Sequence, residues 1–474
     1  MKVTVSRFTP ESGEWTETYD VAVLEGARIL NVLDAIHDTV DATLAYRSCC
    51  RAGQCGSCAV RVNGEPVLAC QKEAHDGDVI EPLNLPRIAD LVTDIAPVMA
   101  QMAWLAAGNE CSFVKRSEIE TIKPLRECIE CYSCISACPA VEASDYTGPT
   151  VMRQEQRLNL DPRDKQDRIT EAINKGLFSC TTCRKCVEVC PKNIDTPKKA
   201  VEKLRELAVR RGLSLPAHRS LAKLIEETGR SVETKETSFL DQVPDVIEPE
   251  GTPTATVGFF VGCMFNLRVI QPALDAMEVL KHNGIRVIIP KTQVCCGSPL
   301  IRTGFTGFIP ELQKRNIEAF QGIDTVLTIC AGCGSTLKND YETPFRVVDI
   351  TEYLVENGFK KPETKVTGSF TYHDPCHLLR GQGIAEEPRT IIKSCVTDFR
   401  DMPARCCGAG GGVKSGQPEE AAKIGAKRAE MVKTTGAETI VTVCPFCEFH
   451  LQQVTGLPVK NITTLLLEAY KKED

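Results

Sequence analysis

The sequence predicts a multidomain protein with a strand-and-helix N-terminal domain, a helical middle and a duplicated α/β C-terminal region. Three observations predict it. The chain has 474 residues, which points to about three domains. A cysteine run, Cys128-Ile-Glu-Cys131-Tyr-Ser-Cys134-Ile-Ser-Ala-Cys138-Pro139, returns as Cys180-Thr-Thr-Cys183-Arg-Lys-Cys186-Val-Glu-Val-Cys190-Pro191. Beyond Val257, short apolar runs alternate with helical patterns, and the whole region repeats itself at an offset of 111 to 114 residues.

The N-terminal domain, expected over 1–105, opens with the strand-like alternation of Val3, Val5 and Phe8. A helix is expected over Ile29 to Ile36, where Leu30, Val32, Leu33 and Ile36 form an apolar stripe. Cys50, Cys55, Cys58 and Cys70 follow with the spacing C-x4-C-x2-C-x11-C, that of a plant-type [2Fe-2S] ferredoxin. Gly53 and Gly56 suit a loop that must turn its backbone toward sulfur. Asn63-Gly64 predicts a hairpin before Cys70, and Cys49 is read as a non-ligand.

The two middle runs both read C-x2-C-x2-C-x3-C-P. Three thiolates on one loop hold three irons of a cubane, and the fourth cysteine serves the other cluster. One [4Fe-4S] cubane is therefore assigned to Cys128, Cys131, Cys134 and Cys190, the other to Cys180, Cys183, Cys186 and Cys138. Zinc also takes C-x2-C pairs, but a doubled run with four cysteines and a proline each is denser than two zinc sites need. Thr196-Pro197 starts a helix with the stripe Val201, Leu204 and Leu207, ending at Gly212. This helical domain is expected over 106–225, and the Pro-rich, polar stretch 226–256 reads as a linker.

In the C-terminal region, 257–474, the first repeat (257–365) carries Cys263, Cys295-Cys296-Gly297 and Cys330-Ala-Gly-Cys333. The second (366–474) carries Cys376, Cys406-Cys407-Gly408 and Cys444-Pro-Phe-Cys447. Five cysteines with an adjacent pair do not suit tetrahedral zinc, because neighbouring side chains diverge, but they suit different irons of one larger cluster. The glycines after Cys407 lack the dinucleotide fingerprint and are read as N–H donors to sulfur. His373, His377, Lys414 and His450 lie near the cysteines, and His373 and His377 are candidate proton donors.

Residues 1 to about 212 resemble the iron–sulfur subunit of succinate dehydrogenases and fumarate reductases in Arg47-Ser-Cys-Cys-Arg-Ala-Gly-Gln-Cys-Gly-Ser-Cys58, Leu68-Ala-Cys70 and Cys190-Pro-Lys-Asn-Ile-Asp-Thr-Pro-Lys-Lys-Ala200. The resemblance implies a β-grasp domain, a helical ferredoxin domain and a [2Fe-2S] cluster facing the flavin of a separate subunit. The position of Cys183 is not cysteine in most of that family, whose last cluster is [3Fe-4S] beside a quinone. Residues 257–474 resemble the CCG-domain catalytic subunit of heterodisulfide reductase, also in Tyr372-His-Asp-Pro-Cys376-His-Leu378 and Cys406-Cys-Gly-Ala-Gly-Gly-Gly412. That resemblance implies one noncubane [4Fe-4S] cluster per complete motif, with the ten cysteines as a cluster-based catalytic site.

Taken together, the halves resemble the methanogen thiol:fumarate reductases. The resemblance implies that coenzyme M and coenzyme B thiols are oxidised to the heterodisulfide at the C-terminal clusters. Electrons then pass to FAD on a partner flavoprotein of the fumarate reductase, where fumarate is reduced; this chain itself lacks a flavin fingerprint. The rival reading is a membrane-associated succinate/fumarate or 2-hydroxy-acid:quinone oxidoreductase, and a second is a pure electron-transfer adaptor.

Composition sets the outer bounds. A net charge of -7 argues against a nucleic-acid partner. No apolar stretch reaches the roughly 20 residues of a membrane span, and no signal peptide is read, so the expectation is reduced thiolates in the cytoplasm. The assigned sets use 22 of the 25 cysteines, leaving Cys49, Cys111 and Cys395, the last two expected as buried small apolar residues.

Overall fold

A computed structural model describes residues 1–107, 114–233 and 237–471, so Cys111 lies outside the described residues. The chain divides into two units, 1–180 with 184–204, and 181–183 with 205–474.

The first unit begins with the strand Lys2–Thr9, whose inward face is Val3, Val5 and Arg7 rather than Phe8. A strict period of two puts residue 7 inside, so a guanidinium occupies a core position. It is met there by Asp90, whose Oδ1 lies 3.0 Å from Arg7 Nε, by Glu17 at 3.3 Å and by Asp41. Asp90 also accepts the N–H groups of Phe8 and Ala45 at 2.9 and 2.7 Å. Removing Asp90 takes part of the counter-charge from a buried guanidinium and leaves two N–H groups without their acceptor, so Asp90→Ala is expected to cost about 3 kcal/mol, read as a lower unfolding temperature.

The sheet order is Gly13–Asp20, Lys2–Thr9, Val79–Glu81, Ala59–Val62, Glu65–Leu68. The first strand pairs antiparallel with Gly13–Asp20 and parallel with Val79–Glu81. The expected hairpin is present, with Val62 opposite Glu65 and Asn63-Gly64 both at positive φ. The helix Ile29–Thr39 buries Ile29, Leu30, Val32, Leu33 and Ile36 under this sheet. The rest of the unit is helical, with Arg116–Arg126, Pro149–Asn159 and Arg168–Asn174 around the cysteine loops. The helix expected from Thr196 enters through a π-helical turn, Pro197–Val201, and continues as Glu202–Arg210. Thr196 is itself helical in φ and ψ and makes no side-chain cap bond.

The second unit holds two parallel sheets of the same strand order. In the first repeat the order is Arg346–Asp349, Thr325–Thr328, Ala255–Phe260, Ile285–Ile288. In the second it is Val459–Asn461, Thr439–Thr442, Val366–Tyr372, Val396–Phe399. The first sheet has one more edge strand, Val246–Ile247, antiparallel to Ile285–Ile288. That strand lies in the stretch expected as a linker, which also sends Phe239 into the core at 0% exposure. Pro244 and Pro249 flank the strand and hide it, because a proline-bounded dipeptide has no readable period.

One hydrophobic core runs through both repeats, from Phe239 to Tyr470. The C-terminal helix Ile462–Tyr470 packs on Gln271–His282 of the first repeat, with Thr463 Oγ1 donating to the Pro272 carbonyl at 2.9 Å. The rings of His282 and Tyr470 stack with centroids 4.1 Å apart.

Candidate metal centres

In the first unit the loop after Arg47 wraps its backbone around a sulfur. The N–H groups of Ala52, Gln54 and Cys55 donate to Cys50 Sγ at 3.4, 3.3 and 3.3 Å. Arg51, Gly53 and Gly56 take positive φ to make this possible. The Ser57 hydroxyl, with N–H groups of the loop, pulls the Cys55 thiol down to about 6. Burial pushes Cys58, which lies against Cys70, up to about 11. Cys49 is exposed and lies beside Cys55.

Gly56 brings this loop against the next one. A Cβ added there would sit 2.6 Å from the Ile129 carbonyl oxygen and 2.9 Å from Cys131 Cβ. Gly56→Ala is therefore expected to destabilise the first unit by at least about 1–2 kcal/mol from left-handed strain alone. Thermal unfolding of the purified chain measures it.

The two middle runs share backbone as well as spacing. Glu130 and Tyr132 in the first, Thr182 and Arg184 in the second, have φ of 51°, 59°, 52° and 63°. Non-glycine residues rarely adopt this region, and its use at matching positions of both loops turns N–H groups inward. Glu130 N–H, for example, donates to Cys128 Sγ at 3.4 Å. Burial first, then the nearby Cys131, Cys128, Cys190 and Cys138, raises the Cys134 thiol well above its ordinary value. Cys128, Cys131, Cys134 and Cys190 are thus brought together. Of the other expected set, Cys138, Cys180 and Cys186 lie in the first unit, whereas Cys183 belongs to the second.

In the second unit every motif cysteine follows the carboxyl end of a parallel strand, where open α/β sheets place their ligands. Cys263 and Cys376 open the helices Cys263–Leu267 and Cys376–Gln382. Cys330 and Cys444 cap the helices Ala331–Asn339 and Pro445–Thr455, which carry Cys333 and Cys447 in their first turns. Free N–H groups and the helix dipole at such ends favour thiolate. The adjacent pairs use one device twice: Gly297 N–H donates to Cys295 Sγ at 3.4 Å and Gly408 N–H to Cys406 Sγ at 3.3 Å. Ser231 N–H donates to Cys263 Sγ at 3.4 Å.

The thiols of each repeat lie close enough to shift one another. In the first, contact with Cys295 lowers Cys263, contacts with Cys295 and Cys333 lower Cys296, and Cys295 and Cys333 are raised in return. In the second, Cys447, 3.5 Å away, lowers Cys407 and is raised itself. Cys376 and Cys406 are both raised, first of all by Cys183, which faces them. All ten cysteines line one cavity of about 330 Å³, with His377, Arg302, Lys414 and Phe446 among its other walls.

Two of the remaining candidates have other partners. His450 is paired with the Ala421 carbonyl at 3.0 Å and does not line the cavity. Lys414 lines it and donates to Gln453 Oε1 at 2.8 Å. His373 is fully buried, and one of its ring nitrogens lies within 4.8 Å of the Cys407 and Cys447 sulfurs. Cys395, as expected, is a buried core residue, its thiol pushed up to about 12 by burial.

Sequence reasoning missed two arginines. Arg205, on a helix read only as an apolar stripe, is fully buried and donates to the carbonyls of Arg302 at 2.6 Å and Gly411 at 2.8 Å. Arg428, on the helix Pro418–Thr435, donates from Nε to His373 Nδ1 at 3.2 Å. No local pattern marks either, since a lone arginine on a helix reads as a solvated residue.

The donor sets fit iron–sulfur clusters. Cysteines gathered in groups, with backbone N–H groups aimed at several of their sulfurs, suit iron–sulfur centres and exceed what isolated core cysteines need. A chain built this way is an iron–sulfur subunit of an oxidoreductase.

Comparison with known proteins agrees at each segment. Residues 2–100 match the 2Fe-2S iron-sulfur cluster binding domain, 124–194 the 4Fe-4S dicluster domain, and 257–338 and 370–452 the cysteine-rich CCG domain. A fumarate reductase (CoM/CoB) subunit of Methanothermobacter marburgensis is 42% identical over 100% of both chains. A dihydromethanophenazine:CoB–CoM heterodisulfide reductase subunit of Methanosarcina barkeri is 30% identical over 73% of this chain and 94% of its own. The fumarate reductase iron-sulfur subunit of Mycobacterium tuberculosis is 35% identical over 44% of this chain and 93% of its own. The chain belongs to the same family as the fumarate reductase (CoM/CoB) subunit of Methanothermobacter marburgensis. Among the described residues no helix is long and apolar enough to cross a membrane.

Proposed function

We propose that this chain oxidises the thiols of coenzyme M and coenzyme B to their mixed disulfide and passes the electrons to FAD on a partner subunit, which reduces fumarate to succinate. Two thiols lose two protons and two electrons as one S–S bond forms; fumarate takes up two electrons and two protons. The single observation that carries the reading is the cavity lined by the cysteines of both repeats. A relay needs no chamber shared by two complete motifs, whereas a reaction that joins two sulfurs does.

In this reading Cys50, Cys55, Cys58 and Cys70 hold one [2Fe-2S] cluster. Cys128, Cys131, Cys134 and Cys190 hold one cubane, Cys138, Cys180, Cys183 and Cys186 the other, and each CCG motif holds a noncubane cluster. The clusters supply the electron carriers and, at the paired motifs, the thiol redox chemistry. The protein's own part is positional. Arg205 bonds both walls of the cavity through the Arg302 and Gly411 carbonyls and so fixes its width. The apolar faces of Met264, Leu221 and Phe446 restrict water around the reacting sulfurs. Gly56 lets the [2Fe-2S] loop touch the Cys131 loop, which shortens the route toward the flavin.

The test is a turnover assay of the chain with its flavoprotein partner. With both thiols and fumarate, heterodisulfide and succinate are expected in a one-to-one ratio. No turnover with thiols, together with rapid turnover from a quinol, replaces this reading with the quinone oxidoreductase.

A further inference from the structure

The duplication allows the two centres to be compared position by position, and one buried position differs. At the 113-residue offset that carries Cys263 onto Cys376, His373 corresponds to Phe260. Both are buried, at 0% and 1% exposure. A phenyl ring offers the first centre no donor. The imidazole of the second is oriented: Nδ1 accepts from Arg428 Nε–H at 3.2 Å, which leaves the proton on Nε2. Nε2 is fully buried and has no hydrogen-bond partner among the described residues, and the same holds for Arg428 Nη2.

Leaving a buried N–H without a partner is costly, so two of them beside a group of thiols call for an acceptor. For the imidazole, the sulfurs of Cys407 and Cys447, within 4.8 Å of a ring nitrogen, supply it. The charges also differ. At the first centre the nearby Arg302 is matched by Asp340 at 2.8 Å. Arg428 donates instead to neutral groups, His373 and the Pro403 carbonyl at 2.6 Å. The neighbouring carboxylate, Asp374, is bound through both oxygens by Arg389 at 2.8 and 2.9 Å.

We propose that His373, oriented by Arg428, makes the two CCG centres electronically unequal, so that the second is the easier to reduce. Hydrogen bonds to cluster sulfur and a buried cation both stabilise the reduced, more negative state. During thiol oxidation electrons therefore collect at the second centre, the one whose Cys376 and Cys406 face Cys183. His373 is a positioning residue in this proposal, one that sets a potential.

The inference rests on the reading that both motifs hold clusters, and the experiment separates the two. The complex with its flavoprotein partner is titrated electrochemically and followed by electron paramagnetic resonance, with iron counted in every sample. Wild type is expected to show two CCG signals at separate potentials. His373→Phe is expected to shift the upper one downward and leave the lower one in place, while His373→Gln, which keeps an N–H, retains part of the gap. Arg428→Met, which removes both the cation and the donor that orients the ring, is expected to shift it downward as well, and Phe260→His to shift the lower signal upward. Unchanged potentials in His373→Phe and Arg428→Met at full iron content overturn the inference alone. Unchanged iron content in Cys295→Ala and Cys406→Ala overturns the cluster reading, and the inference with it.

Discussion

Cys295→Ala and Cys406→Ala are each expected to lower thiol-driven fumarate reduction by at least about 100-fold, beyond the loss seen when outer-shell partners of metal ligands are changed. Each is the first cysteine of an adjacent pair and accepts the N–H of the glycine two residues on. Each also touches other sulfurs of its repeat or the Cys183 loop, so its removal opens the donor set from the middle. Fumarate reduction driven by reduced viologen should stay largely intact on the proposed division of labour, in which that donor reaches the partner's flavin or the ferredoxin centres directly. Parallel assays of the two reactions on one preparation decide the matter. If a correctly folded Cys295→Ala variant loses both, thiols and fumarate share one active site and the two-site mechanism is wrong.

Cys55→Ala is expected to do the reverse. Cys55 lies in the loop whose N–H groups converge on Cys50 Sγ, and its neighbour Gly56 presses against Ile129 and Cys131. In the proposed reading its removal takes a ligand from the [2Fe-2S] site at the flavin end. Thiol-driven fumarate reduction should fall by at least about 100-fold, as for the CCG ligands. Viologen-driven reduction of the heterodisulfide, which needs only the far end, should survive. Loss of disulfide reduction in a folded Cys55→Ala protein would mean that the N-terminal loop supports the C-terminal centres by some route other than electrons.

Much of this was legible in the sequence because cysteine spacing is a local property. The hairpin at Asn63-Gly64, the helix from Ile29 and the strand running into each C-x2-C motif were also legible, each from a run with one clear period. What escaped was whatever depends on distant partners. Arg7 and Arg205 look like surface charges until Asp90 or the Gly411 carbonyl is brought to them. Val246–Ile247 became a strand only because Ile285–Ile288 offered an edge. Cys183 was assigned by spacing to one set, and its thiol faces another pair, Cys376 and Cys406. The difference between His373 and Phe260 was within reach of the repeat alignment; that Arg428 orients the ring was not.

The duplication so plain in the sequence is not modular in space. Because one core serves both repeats and the final helix, Ile462–Tyr470, lies on Gln271–His282, a boundary drawn at 365/366 passes through a single hydrophobic core. Neither copy can shift, be shed or be replaced by a foreign copy without disturbing the other. The pair is thus held as one object, with the cysteines of both copies facing a single cavity on a common frame. A substitution made to tune one centre is therefore made inside a frame that the other centre also stands on.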